Sequence, residues 1–300
     1  MNSELSRRDA VATSLAAAVS IFSGLSPLIA NAQEISPQLP DRISRLHIKP
    51  RYHRWHVAPG VDWVETNTSH ATLDWKIPLH QAAIVLVDVW DHHYLKDTEA
   101  RAETVITERL VPLLTACRTA KMPIIHAPSP PMAKQHPNRV RLVRENEIVK
   151  TPAEWPPAEF RNKTGIYQSY RRPKEPREPE IIQLGKERKL HPKVQPVADE
   201  PVVATGEELH RYCQQRGILF LLFAGFNTNA CILVRDYGTL AMGDRGYEVI
   251  LIRDCTTGME SRDTQPTLSQ TCGAVLFLEM FGKYSITSDE IMDGLPSDKS

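Results

Sequence analysis

Two side chains of the sequence, Cys231 and Asp88, are of a type and in a position that could do chemistry. Cys231 follows a loop-like stretch, "GFNTNA" (225–230), and begins the segment "CILVRDYGTLAM", which predicts a helix. Backbone N–H groups and the dipole at a helix N-terminus lower the pKa of a thiol and can stabilise an oxyanion. The position therefore suits a nucleophile, although a small apolar side chain at the start of a helix fits the spacing equally well.

Asp88 ends the apolar run "IVLVD", which predicts a strand buried on both faces. A carboxylate is costly inside a sheet unless it lies at the open end of its strand with a partner. The carboxyl ends of parallel strands are also where α/β proteins form their sites. Asp88 is thus a candidate general base, and the alternative is an aspartate that caps the following turn.

Neighbouring polar and aromatic residues are candidates for the substrate pocket. Trp90 and Tyr94, in "DVWDHHY", offer an aromatic wall for a flat substrate, or else they are core residues. His126, in "IIHAP", ends the next predicted strand at the same edge, where it lines the pocket or supports its neighbours. The adjacent His92 and His93 point in different directions in a strand or helix, so both rarely bind one ion and we expect no metal there. We also expect no cofactor.

The elements that position these residues alternate between strands and helices. Short apolar runs predict strands, and an apolar stripe at helical spacing predicts a long helix in "EARAETVITERLVPLLTACRTA". This alternation predicts a three-layer α/β/α fold with a mostly parallel sheet. The predicted strands are 82–89, 122–129, 218–225, 247–254 and 284–288, and the predicted helices are 99–120, one from about 231, and 267–281.

Two regions depart from this alternation. Residues 42–78 alternate aromatic or β-branched with polar side chains, which predicts a β-hairpin within an N-terminal extension, residues 33–80. Residues from about 130 to 200 are rich in proline and charge, and predict a long surface insertion that serves as a lid or an oligomer arm. The remaining chain, residues 81–295, is predicted to form the main domain around that insertion.

The order strand-Asp, strand-His-Ala, and strand-G-x-x-T-N-x-C followed by a helix resembles the isochorismatase-like cysteine hydrolases. This superfamily includes nicotinamidases, N-carbamoyl amidases and isochorismatases. The resemblance covers residues 82–129 and 201–292, and "GFNTNAC" is its most specific part. It implies a hydrolase that acts on a small molecule and forms homo-oligomers, on the fold already predicted.

The resemblance also implies roles for single residues. Cys231 would attack a carbonyl carbon, and Asp88 would take the thiol proton and later protonate the leaving amine. The backbone N–H groups of Asn227 and Cys231 would stabilise the oxyanion, next to a non-proline cis peptide bond at Phe226–Asn227.

The third residue of the family is a lysine, and this chain departs from the pattern there. The closest alignment puts Ala204 or Thr205 at the expected position. Lys193 is the nearest candidate, and Lys163 is a more distant one. Loss of the cation would raise the pKa values of the aspartate and the cysteine together.

The first 32 residues predict export. Arg7 and Arg8 precede an uncharged run, rich in Ala and Ser, that closes with "ANA", a pattern typical of a cleaved twin-arginine signal peptide. We therefore expect an exported, periplasmic protein with no membrane attachment after cleavage, and a retained anchor is the alternative. The odd number of cysteines, five, leaves at least one thiol without a partner in the chain.

Charge and motifs leave three functions open. With 36 basic and 36 acidic residues the chain gives no reason to expect a nucleic acid or an anionic membrane as partner. The leading function is an exported cysteine hydrolase that cleaves a C–N amide-type bond through an acyl-enzyme on Cys231. The missing lysine favours a catalytically degenerate binding or assembly module instead. Hydrolysis of a vinyl ether, which needs Asp88 but no thiol, is the third.

Overall fold

The computed structural model describes residues 44–143, 156–173 and 175–296. The predicted signal peptide, residues 1–32, lies outside the described residues, as do parts of the N-terminal extension and of the insertion. Within the described ranges no helix has the length and apolar character that crossing a membrane requires.

The strands form one large and one small sheet. The described strands are β1 Arg45–Ile48, β2 Arg51–Arg54, β3 Ser69–Thr72, β4 Trp75–Pro78, β5 Ala82–Val87, β6 Ile124–Ala127, β7 Phe220–Phe226, β8 Glu248–Thr257 and β9 Tyr284–Ile286. The large sheet has the strand order β3-β2-β9-β8-β7-β5-β6. Its strands β5 to β9 are parallel, and the antiparallel pair of β2 and β3 lies at one edge.

Helices follow most of the parallel strands. A π-helical turn, Ile106–Leu110, joins the first two helices into the long segment that the sequence predicts. The described α-helices are α1 Lys96–Val105, α2 Val111–Thr119, α3 Pro130–Gln135, α4 Ala158–Asn162, α5 Glu178–Glu187, α6 Gly206–Arg216, α7 Cys231–Val234, α8 Thr239–Asp244, α9 Ser269–Met280 and α10 Ser288–Gly294.

Helices cover both faces of the large sheet. Since alternate residues of a strand point to opposite faces, each buried strand contributes side chains to two cores. All six residues of β5 are buried. On one face Ile84 and Leu86 share a core with Leu113 of α2. On the other face Val85 shares a second core with Leu209 of α6. The predicted three-layer α/β/α fold is confirmed.

The N-terminal extension forms two antiparallel pairs where the sequence predicts one hairpin. β2 pairs with β3 and joins the large sheet through the pairing of Arg51 with Ser285 in β9. β1 pairs with β4 in the separate two-stranded sheet, and its Leu46 and Ile48 enter the core. The alternation of polar and apolar side chains with a period of two indicates that these segments are strands. It does not indicate which strands pair, because tertiary packing selects the partners.

The predicted helix after Cys231 is broken in two. α7 ends at Val234, Arg235 is extended with ψ 154°, and α8 begins only at Thr239. A Cβ on Gly238 would lie 2.8 Å from the carbonyl oxygen of Ile232, so only glycine permits this tight turn. The hydroxyl of Thr239 then donates to the same carbonyl oxygen at 3.1 Å.

The insertion contains short helices and returns to the edge of the sheet. None of the residues of α5 is buried. After α5 the chain runs beside the residues that follow β5, where the N–H of Asp91 donates to the carbonyl of Lys189 and that of His191 to Val89. The segment that ends the insertion lies beside β6, since His126 and Val202 form a parallel bridge.

Candidate active site

The carboxyl ends of β5 and β7 approach each other closely at one glycine. Gly225, in β7, pairs with Val87, the last residue of β5. Gly225 has a φ of +112°, and a Cβ on it would lie 2.0 Å from the carbonyl oxygen of Val87. Glycine is therefore required at this position, and it brings the "NTNAC" loop next to Asp88. Asp88 has a φ of 47° and is 6% exposed.

The Thr and Asn side chains of "NTNAC" fasten this loop to the end of β8. The N–H of Thr228 donates to the carbonyl of Thr257 at 3.1 Å, and its hydroxyl lies 2.6 Å from that of Thr256. The side chain of Asn229 donates to the carbonyl of Met259 at 2.7 Å and accepts from its N–H at 3.0 Å. These bonds hold the start of α7, and with it Cys231, at the edge of the sheet.

Asp88 and Cys231 form a hydrogen-bonded pair. The carboxylate of Asp88 accepts from the thiol of Cys231 and from the backbone N–H of Ser129. The backbone N–H of Asn227 donates to the Cys231 sulfur. The Phe226–Asn227 peptide bond is cis, as the resemblance implies. The two predicted reacting groups thus lie together, with a backbone donor directed at the sulfur.

The proton affinity of both groups is high. Burial raises the pKa of Asp88, although the charge of Arg235 opposes this. Burial, and then the charge of Asp88, raise the pKa of Cys231 to about 11. The predicted lowering of the thiol pKa is not found, because α7 has only four residues and the sulfur lies partly buried beside Asp88. A proton therefore stays on the pair at neutral pH until a substrate is attacked.

Arg235 is the site residue that the sequence analysis missed. Its Nη2 lies 3.4 Å from Oδ2 of Asp88, and its side chain is also hydrogen-bonded to that of Cys231. Its positive charge lowers the pKa of both groups, in opposition to burial. The signal in the sequence was its position four residues after the cysteine, which is on the same side of a helical turn.

Neither lysine proposed from the sequence joins this pair. The Nζ of Lys193 lies 2.5 Å from Oε1 of Glu103 and 2.7 Å from the hydroxyl of Thr107, so it ties the end of the insertion to the α1–α2 segment. The Nζ of Lys163 lies 3.5 Å from the centre of the Phe160 ring, within the insertion. Lys193 was assigned by nearness in sequence, and tertiary packing directs it elsewhere. Among the described residues no lysine forms an ion pair with the aspartate of the site.

The three predicted pocket residues differ in their surroundings. Trp90 is 4% exposed, and its ring centre lies 5.1 Å from that of Phe226, so it is a core residue beneath the loop. Tyr94 is 37% exposed and stacks on His93 at 4.5 Å. Burial lowers the pKa of His93 to about 4, which keeps the imidazole between the two aromatic rings neutral. Tyr94 alone of the three has a face open to a ligand.

His126 contacts a different cluster. Its Nε2 lies 2.9 Å from Oε2 of Glu200, and Glu200 also pairs with Arg118 of α2. Burial lowers the pKa of His126. The side chain therefore joins the end of the insertion to β6, and its hydrogen bonds in the described structure do not reach Asp88 or Cys231.

The insertion forms one wall of a cleft beside the acid. The cleft has a volume of about 830 Å³ and is lined by α3, by α5 and by the residues that follow α5. Ser129, which donates to Asp88, and Asp91 also line it. The guanidinium of Arg188 lies 5.7 Å from the centre of the Trp90 ring. The insertion thus lines a cleft that reaches Ser129 and Asp91, next to Asp88.

The isochorismatase domain is the family whose model matches this chain, over residues 82–272. That range covers well over half of the 300 residues. The chain belongs to the isochorismatase domain family of hydrolases. No curated protein matches it at a significant level.

Solved structures similar to this chain are distant in sequence. A cysteine hydrolase from Pseudomonas syringae pv. phaseolicola 1448A is 15% identical, with 73% of this chain and 94% of that chain covered and a TM-score of 0.46. An isochorismatase-like hydrolase from Alkaliphilus metalliredigens is 19% identical, with 71% and 98% covered and a TM-score of 0.42. The nicotinamidase of Staphylococcus aureus is 10% identical, with 68% and 96% covered and a TM-score of 0.36.

Proposed function

We propose that the protein hydrolyses a C–N amide-type bond of a small molecule through a thioester on Cys231. The observation that carries the proposal is the hydrogen-bonded pair of the buried Asp88 and the partly buried Cys231, with the Asn227 N–H directed at the sulfur. A carboxylate and a thiol that share a proton supply a base and a nucleophile together. Membership of a hydrolase family supports the same reaction class.

The first half of the reaction forms the thioester. Asp88 takes the proton of the Cys231 thiol while the sulfur attacks the carbonyl carbon, and the carbonyl electron pair moves to oxygen. The backbone N–H groups of Asn227 and Cys231 stabilise that oxyanion. As the tetrahedral intermediate collapses, the C–N bond breaks and the leaving amine takes the proton from Asp88.

The second half restores the enzyme. Water attacks the thioester carbon and gives a proton to Asp88. Collapse of the new tetrahedral intermediate expels the sulfur, which recovers the proton from Asp88. The balance is one amide and one water converted to one carboxylic acid and one amine. The raised pKa of Asp88 suits this exchange, because the group must hold a proton as well as release it.

The vinyl-ether reaction is the second candidate, and one observation favours it. Burial raises the pKa of Asp88, and a carboxylic acid that stays protonated can protonate a vinyl ether without a thiol. A Cys231→Ala variant distinguishes the two, because it would abolish an amidase and spare a vinyl-ether hydrolase. A binding module on the same fold would show no turnover in either protein.

The test is ammonia release from a panel of small primary amides and carbamoyl compounds. Wild type is compared with Cys231→Ala and with Cys272→Ala, since Cys272 is a second free thiol and is exposed. We expect turnover by wild type and Cys272→Ala, and loss of turnover in Cys231→Ala. Turnover that survives Cys231→Ala would contradict the thioester.

Export and homo-oligomer formation remain predictions. The described residues include exposed apolar side chains in the insertion, among them Ile166 and Ile182. A second copy of the chain could cover them, which light scattering of the purified protein would measure as a mass above that of one chain. Cell fractionation and N-terminal sequencing would test whether residues 1–32 are removed.

A further inference from the structure

The cation of this site comes from the C-terminal side of the cysteine. The guanidinium of Arg235 reaches Oδ2 of Asp88 at 3.4 Å and is also hydrogen-bonded to the side chain of Cys231. One planar group therefore contacts both the base and the nucleophile, a task that suits the fork of an arginine better than the point charge of a lysine. The Nε of Arg235 is buried and has no hydrogen-bond partner among the described residues.

The break between α7 and α8 gives Arg235 this position. The segment of residues 235–238 is fixed at several points. A side-chain oxygen of Asp236 accepts from the N–H of Gly206 at 2.8 Å. The buried Tyr237 donates its hydroxyl to the carbonyl of Pro128 at 3.1 Å. Since the two residues that follow Arg235 are held, the fold fixes the backbone from which its side chain reaches the site.

The same segment lies against the position where the resemblance expects a lysine. The closest alignment puts Ala204 or Thr205 at the position of that lysine, and these two residues lie just before Gly206. A Cβ on Gly206 would lie 1.9 Å from the carbonyl oxygen of Asp236, so the two segments are in close backbone contact. Ala204 is fully buried, and its N–H donates to Glu208. The segment of Ala204 and Thr205 thus has no cation at the expected position, and the segment that lies against it has Arg235.

We propose that Arg235 takes the place of the family's lysine, holding Asp88 and Cys231 in position and balancing the negative charge of the thiolate. The inference rests on the proposed function, because it assigns the charge balance of the same pair. An arginine stays protonated throughout, so it acts by charge and geometry and leaves all proton transfer to Asp88. The other ionisable groups at this site are Tyr237, whose pKa burial raises so that it stays neutral, and Asp236.

The experiment measures the rate of iodoacetamide alkylation of Cys231 by peptide mass spectrometry, and it needs no substrate. Below the thiol pKa this rate follows the thiolate fraction. The variants are Arg235→Gln, which removes the charge, and Arg235→Lys, which keeps it. The matched control is Arg245→Gln, because Arg245 is 35% exposed, against 36% for Arg235, and pairs with the surface Glu207 at 2.9 Å.

We expect Arg235→Gln to lower the alkylation rate at about pH 9 by roughly tenfold or more, since a cation this close shifts a pKa by about one unit or more. Arg235→Lys should stay within about threefold of wild type, as should Arg245→Gln. If Arg235→Gln fails to fold, Arg235→Met retains the length of the side chain and tests the same loss of charge. Thermal unfolding of each variant shows which ones are folded.

An unchanged alkylation rate and pH dependence in the neutral variants would overturn the inference. A rate that falls equally in Arg235→Lys would also overturn it, because charge would not be the cause. These outcomes are separate from failure of the proposed function, which would appear as wild type that releases no amine and forms no acyl-enzyme on Cys231, although its thiol is still alkylated. The arginine result is read on the thiol, whether or not an amide is turned over.

Discussion

Two carboxylates of this protein, the buried Asp88 and the partly buried Glu200, each lie beside an arginine and have opposite shifts of their pKa. Burial would raise the pKa of Glu200, but hydrogen bonds from Arg118 and His126 overcome it and lower that pKa to about 2. Burial raises the pKa of Asp88, and Arg235 opposes it without overcoming it. The two sites differ in how completely the carboxylate is bonded.

Glu200 is saturated with short contacts. It receives Nε and Nη2 of Arg118 at 2.7 and 2.9 Å, Nε2 of His126 at 2.9 Å, and the N–H of Val197 at 3.0 Å. Asp88 has a guanidinium at 3.4 Å, a thiol and one backbone N–H. A saturated carboxylate is a structural group, whereas an under-bonded carboxylate next to a thiol keeps the proton affinity that a base needs.

Asp88→Asn should have the largest effect on activity. The amide cannot take the thiol proton, so the rate of amide turnover should fall by about a thousandfold. The free energy of unfolding at neutral pH should not fall, because a buried carboxylate with raised pKa is removed. Steady-state kinetics and urea unfolding measure the two quantities. A variant that loses stability and keeps turnover would reverse the comparison.

Glu200→Gln should show the opposite combination. Loss of the carboxylate leaves Arg118 and the buried His126 without their partner, and we expect about 2 kcal/mol less stability. Activity under conditions where the variant is folded should stay within about threefold of wild type, since among the described residues no hydrogen bond joins Glu200 to Asp88 or Cys231. A large loss of turnover in the folded variant would assign this cluster to the site.

The pH dependence of stability should differ in sign between the two variants. The folded-state pKa of Glu200 is depressed to about 2. The stability that its carboxylate contributes is therefore present above the ordinary pKa of 4.5 and is lost as pH falls toward 2. The stability gap between wild type and Glu200→Gln should therefore close on acidification. The folded-state pKa of Asp88 is raised, so Asp88→Asn should gain stability relative to wild type as pH rises through that pKa. Urea unfolding at a series of pH values tests both trends, and equal slopes would contradict the account.

Lys193→Gln should have the smallest effect. The lysine is 46% exposed and pairs with the half-exposed Glu103, so the variant should lose at most about 0.5 kcal/mol of stability. Its Cys231 alkylation rate should match wild type, unlike that of Arg235→Gln. Slower alkylation in Lys193→Gln would return this lysine to the site.

The features that could be predicted from sequence are those that local pattern fixes. The apolar run of β5 predicted a buried strand, and parallel strand ends meet at one edge, so Asp88 and Cys231 were expected together. Arg235 was missed although it follows the cysteine by four residues, because α7 ends at Val234 and Arg235 belongs to an extended segment that packs against Gly206, a tertiary contact that no local pattern contains. The direction of the shift in the thiol pKa was also predicted wrongly. Burial and the charge of Asp88 raise this pKa by more than a helix of only four residues can lower it.

The most direct test of the central claim, that Cys231 is a nucleophile served by Asp88, is acylation by p-nitrophenyl acetate. Rapid mixing measures p-nitrophenolate, and peptide mass spectrometry locates the acetyl group. The account predicts a burst of one equivalent per chain, with acetyl on Cys231, that is retained in Cys272→Ala and slowed in Asp88→Asn. Acylation of Cys231 no faster than that of the exposed Cys272, or unaffected by Asp88→Asn, would contradict it.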